Sequence, residues 1–126
     1  TPLAKKRGRK KNYTPEMLQP IIVVKKNMLG EMQVCIINPE APKSKKLPEG
    51  MKFAKVYLFV GEEPPKNIND FRFYGNAKRG LLPVNFADVD FKGNPVLYAF
   101  FVGRYESNRG VLGQPGAVAS AKILYQ

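Results

Sequence analysis

A chain of 126 residues with 44% apolar content can build one core and reads as one domain. No apolar run approaches the roughly 20 residues that a membrane-crossing helix needs. The net charge is +11; six of the 21 basic residues lie in the first eleven positions, and the remaining 15 against 10 acids leave a body of only +5. With no histidine and one cysteine, the usual zinc sites, Ser/Cys–His–Asp catalysis and an internal disulfide are all excluded.

Residues 1–12 are polar, basic and without periodicity, the composition of a disordered arm. No apolar stretch of the signal-peptide kind follows them, although a first residue other than Met leaves room for a removed upstream segment. Thr14-Pro15-Glu16-Met17 can cap one turn of helix, with Thr14 as N-cap and Pro15 at the first helical position, and Pro20 ends it. This gives a flexible basic arm over 1–18 and a packed domain over 19–126. Asn12-Tyr13-Thr14 is a formal glycosylation sequon beside the arm.

From Ile21 onward the pattern is all-β. Ile21–Val24 is a β-branched run, and a turn follows at Asn27–Gly30. Glu31–Asn38 alternates, with Val34, Ile36 and Ile37 apolar; Cys35 reads here as a small core residue, and an unpaired cysteine fits a reducing, cytoplasmic setting. Pro39–Gly50 is a long Pro- and Lys-rich loop. Met51–Val60 is the clearest central strand, and Gly61–Asn69 is a second loop containing Pro64-Pro65. Phe71–Tyr74 is a short strand ending at Gly75-Asn76, and Leu81–Phe86 is the next strand. After a turn through Asp88–Gly93, Pro95–Tyr105 is a long apolar strand. Asn108–Gly116 is a Gly-rich connection, and Ala117–Leu124 closes the chain as a strand. Seven short strands, with no βα repeat, predict an antiparallel two-sheet sandwich.

The segment Leu97-Tyr98-Ala99-Phe100-Phe101-Val102-Gly103-Arg104-Tyr105, the Asn108-Arg109-Gly110 turn, Gly113-Gln114-Pro115-Gly116 and a last strand from Ala117 resemble the closing strand pair of fibronectin type III domains. Arg104-Tyr105-Glu106 and Asn108-Arg109-Gly110 also resemble the closing segment of bacterial proteins of unassigned function that carry such a domain. The resemblance implies a fibronectin type III/immunoglobulin-like sandwich and brings no activity with it. That family usually has a Trp in its second strand, whereas this chain has no Trp, so Val34–Ile37 must fill that part of the core. The adhesion tripeptide is also missing, since Arg79-Gly80 precedes Leu81 and Arg109-Gly110 precedes Val111. Tyr98 is a candidate for a tyrosine corner, in which the phenol bonds back to the backbone; the alternative is an edge aromatic with its hydroxyl in water.

No cofactor, metal site or enzymatic constellation is expected. Asp88 and Asp90 could form a paired acid or a weak calcium site, but beside Lys92-Gly93-Asn94 they read as a solvated turn. The nucleic-acid-binding candidates are Lys5, Lys6, Arg7, Arg9, Lys10 and Lys11, whose cations can displace counterions from phosphates without reading bases. Arg7-Gly8-Arg9 resembles an AT-hook core, in which the glycine lets both guanidinium groups enter a narrow minor groove. It departs from that motif at Lys10, where proline is usual. A nuclear import signal, an arm threaded into RNA, and a solubilising linker remain open for the same residues. Lys43, Lys45, Lys46, Lys78 and Arg79 could extend the basic surface. The expected function is a non-catalytic interaction module: the sandwich docks on a protein partner while the arm contacts DNA, RNA or another polyanion. The alternative is a structural component of a virion, surface or secretion complex, with the arm as a tether.

Overall fold

The structure is a computed structural model that describes residues 18–39, 41, 43, 47–77, 81–93 and 95–125. The basic arm, the helical turn at Thr14–Met17 and the cations Lys45, Lys46, Lys78 and Arg79 lie outside the described residues. Seven strands form: β1 (Ile21–Met28), β2 (Glu31–Ile37), β3 (Met51–Gly61), β4 (Arg72–Ala77), β5 (Leu81–Asn85), β6 (Tyr98–Ser107) and β7 (Ala119–Lys122). One 3-10 turn, η1 (Ile68–Asp70), precedes β4. The strands make two antiparallel sheets, a three-stranded one in the order β1-β2-β5 and a four-stranded one in the order β4-β3-β6-β7.

Alternation sets which residues enter the core. On β2, Met32, Val34 and Ile36 are buried, facing Ala54, Val56, Ala99, Phe101 and Tyr105 of the other sheet. Glu31 and Gln33 share the opposite phase, and Cys35 goes with them. It is half-buried on the outer face, which corrects the expectation of a core cysteine. With no Trp available, Tyr105, Phe101 and Met32 are the largest fully buried side chains. The β3–β6 pairing runs from Met51↔Ser107 to Gly61↔Tyr98 and forms the spine of the larger sheet.

Three strand boundaries depart from the sequence pattern in an informative way. β1 runs on to Met28 because the register shifts at Lys25 and pairing then resumes. β4 does not stop at Gly75: Val56 pairs Gly75 and Tyr57 pairs Phe73, so Tyr74 is an extra residue in a bulge and the ladder continues to Ala77. β6 starts at Tyr98, and one further bond, from the Ile123 N–H to the Leu97 carbonyl at 2.9 Å, carries its pairing with β7 a step beyond the strand. The Gly-rich connection follows β6 closely: the Gly113 N–H donates to Tyr105 O at 2.8 Å, the Gly116 N–H to Gly103 O at 2.9 Å, and Arg104 Nε to Gly113 O at 2.6 Å.

Glycine is needed where backbones meet. A Cβ on Gly103 would lie 2.9 Å from Pro20 Cγ, and one on Gly116 would overlap the Pro20 carbonyl oxygen. Leu18 and Pro20 are thereby held in the buried interior. At the opposite end Gly30, with φ +70°, turns the β1–β2 hairpin. Its N–H donates to Leu124 O at 2.7 Å and its carbonyl accepts from Phe86 N–H at 3.0 Å, so one turn joins three segments.

Candidate interaction surfaces

The outer face of the three-stranded sheet is apolar near one end. The register places Ile21 beside Ile37, and Val23, Cys35 and Leu81 in one row across all three strands. Ile21, Val23 and Leu81 are 46%, 38% and 52% exposed, and the next row carries Lys26, Gln33 and Pro83. These exposed side chains are neighbours and form one apolar patch on the sheet. Lys25, in the bulge, and Lys26 are both exposed beside this patch.

The outer face of the four-stranded sheet is also apolar, yet largely covered. Phe71, Phe100 and Val102 are buried there, packed against Tyr57, Phe59 and Tyr98. Phe59 stands 6.2 Å from both Phe71 and Phe100, and Tyr57 meets Phe73 edge-on at 5.8 Å. The cover is the β3–β4 connection. Asn67 caps η1 by accepting from the Asn69 N–H at 3.0 Å, and Ile68, Asn69 and Phe71 roof a cavity of about 140 Å³ over Tyr57, Val102 and Arg104. At the β3–β4 edge, Asp70, Arg72 and Tyr74 rim an open groove of about 510 Å³ beside Leu58, Phe59 and Val60. The Tyr74 hydroxyl accepts from the Asn85 N–H at 3.0 Å, tying the two sheets there. Lys55 pairs with Glu106 at 3.1 Å and lies 5.2 Å from the Phe73 ring.

Strand direction also sorts the charge. The segments that enter at the Ile21–Ile37–Leu81 end are 1–20, 38–50, 78–80 and 108–118. Together they hold twelve Lys/Arg against three Glu. The loops at the opposite end, 62–71 and 86–97, hold five Asp/Glu against two Lys.

The six arm candidates, Lys5, Lys6, Arg7, Arg9, Lys10 and Lys11, lie outside the described residues, while Lys43 is exposed. Asp88 and Asp90 are exposed, and Asp90 Oδ1 accepts from the Lys92 N–H at 2.9 Å, which makes it a turn-forming acid. Among the described residues no group of three or more His, Cys, Asp or Glu is placed to hold a metal ion. No described helix is long and apolar enough to cross a membrane.

Of the two roles open to Tyr98, the structure shows the aromatic one. Tyr98 is half-buried on the outer face with its ring 6.3 Å from Phe100, the packing of a sheet aromatic. The phenol that bonds to the backbone beside this strand belongs to Tyr125, whose hydroxyl donates to Pro95 O at 2.5 Å while its ring stacks on Phe91 at 4.0 Å. Nothing in the local sequence around Tyr125 signals that role. Tyr105 is fully buried, and its hydroxyl has no hydrogen-bond partner among the described residues. Burial pushes its pKa up to about 12.

No family model matches the chain, and no curated protein matches it. Among solved structures it is similar to the solution structure of the fibronectin type III domain of human fibronectin type III domain containing protein 3. That likeness has a TM-score of 0.57 at 15% sequence identity and covers 94% of each chain. The three-plus-four antiparallel sheets and this full-length likeness agree with the resemblance in the last strand pair: the chain has the fibronectin type III fold.

Proposed function

We propose that the chain is a non-catalytic interaction module whose sandwich docks on a protein while residues 1–17 bring six cations to nucleic acid or another polyanion. The observation that carries this reading is the exposed apolar patch at the end of the sandwich where segment 1–20 enters. Two chemistries then lie side by side. Apolar rows gain about 25 cal/mol for each Å² removed from water. Flexible cations gain from counterion release and need no fixed geometry.

The polyanion half is tested on the full chain with Lys5, Lys6, Arg7, Arg9, Lys10 and Lys11 all replaced by Gln. For a DNA duplex, six phosphate contacts give a slope of about −5 for log K against log salt. The replaced chain should lose that slope and most of its affinity. Equal affinity and slope in both proteins would end the arm's role.

A further inference from the structure

Resting on the protein-docking half of that reading, we infer that the patch formed by Ile21, Val23, Cys35, Ile37 and Leu81 receives an acidic protein segment with apolar side chains at strand spacing. The row Val23–Cys35–Leu81 crosses the sheet, and Ile21–Ile37 lies one row nearer the end where β1 begins. None of these five residues is charged. A bound segment that covers them must supply apolar groups, which phosphates and sugars lack.

Charge fixes the rest of the chemistry. Lys25 and Lys26, both exposed, flank the patch. Among the residues facing outward on these strands the one acid is Glu31, in the row farthest from the patch. Carboxylates on the incoming segment therefore meet cations at that margin. A second copy fits worse. Its outward face brings no acid but Glu31 to meet Lys25 and Lys26.

Cys35 sits on the middle strand of the patch and is half-buried, so its alkylation rate reports cover there. The experiment uses the full chain and a synthetic peptide carrying Leu-Ser-Leu-Ser-Leu followed by four Glu. One control peptide has Gln for Glu, and another has Ser for Leu. Anisotropy measures binding, and iodoacetamide labelling measures cover.

The acidic leucine peptide should bind and slow Cys35 labelling at least tenfold. Both control peptides should bind at least tenfold more weakly, as should the acidic leucine peptide to Val23→Lys and to Leu81→Lys. These two variants are at exposed positions, and circular dichroism checks that each folds. No binding of the acidic leucine peptide, or binding that ignores the leucines or leaves Cys35 labelling unchanged, overturns the proposal. So does equal protection of Cys35 by a DNA duplex or by anionic vesicles, or a Leu81-dependent dimer in sedimentation. The peptide result is independent of the duplex affinity that tests the arm, so either reading can fail alone.

Discussion

Replacing Tyr105 by Phe should make the protein more stable. The ring fills the core at 0% exposure, and Phe keeps that ring, so packing is conserved. The deleted hydroxyl is buried with no partner among the described residues, and an unsatisfied polar group of this kind costs about 1–3 kcal/mol. The variant should therefore gain about 1 kcal/mol in urea unfolding at neutral pH. Alkali then separates the two proteins further. With the folded pKa pushed up to about 12 by burial, against an ordinary value near 10, the native state holds the proton more tightly than the unfolded chain. The stability from that difference is complete below pH 10 and is lost as pH rises through 12. At about pH 11 the wild type gives up roughly 1.4 kcal/mol that the variant does not, so the gap between them should reach about 2.4 kcal/mol. Urea midpoints across this range measure it, and the other tyrosines cancel in the comparison. A loss of 1 kcal/mol or more at neutral pH, or a gap that stays constant with pH, would refute the reasoning.

Gly103→Ala should cost about 1–3 kcal/mol, because the new methyl meets the rigid Pro20 ring at 2.9 Å and Ile22 Cδ1 at 3.2 Å; an unchanged urea midpoint would mean that residues 18–22 do not pack there. Phe100→Ala should cost about 3–5 kcal/mol despite its place on the outer face, since the η1 connection covers it to 6% exposure, and a thermal melt within a degree of wild type would show the cover to be loose.

The strands were legible because their side chains alternate, and errors arose where alternation is silent. Both faces of β3 and β6 are apolar, so the runs around Val56–Val60 and Phe100–Val102 announce burial without revealing the second, aromatic layer over the sheet. Cys35 lies within the apolar run Val34–Ile37, but Glu31 and Gln33 already fix the phase that turns it outward. Gly75 reads as a strand end in the sequence because a glycine beside a bulge looks the same as a glycine in a turn, and only its pairing with Val56 tells the two apart. Tyr125 finds Pro95 across 30 residues, a relation that no local pattern carries. The patch at Ile21, Cys35 and Leu81 likewise exists only once three strands are set in register.

The bond from Gly30 to Leu124 has a mechanical side. Leu18 enters the sandwich at one end of β1, and Leu124 makes a parallel bridge to Leu29 just beyond the other end. Tension applied between residues 18 and 125 therefore runs along the strands. It loads the hydrogen bonds of β1 and β7 in shear, many at a time, and does not peel them open one after another. Pulled between Leu18 and Tyr125, the fold yields only when many of these bonds break together.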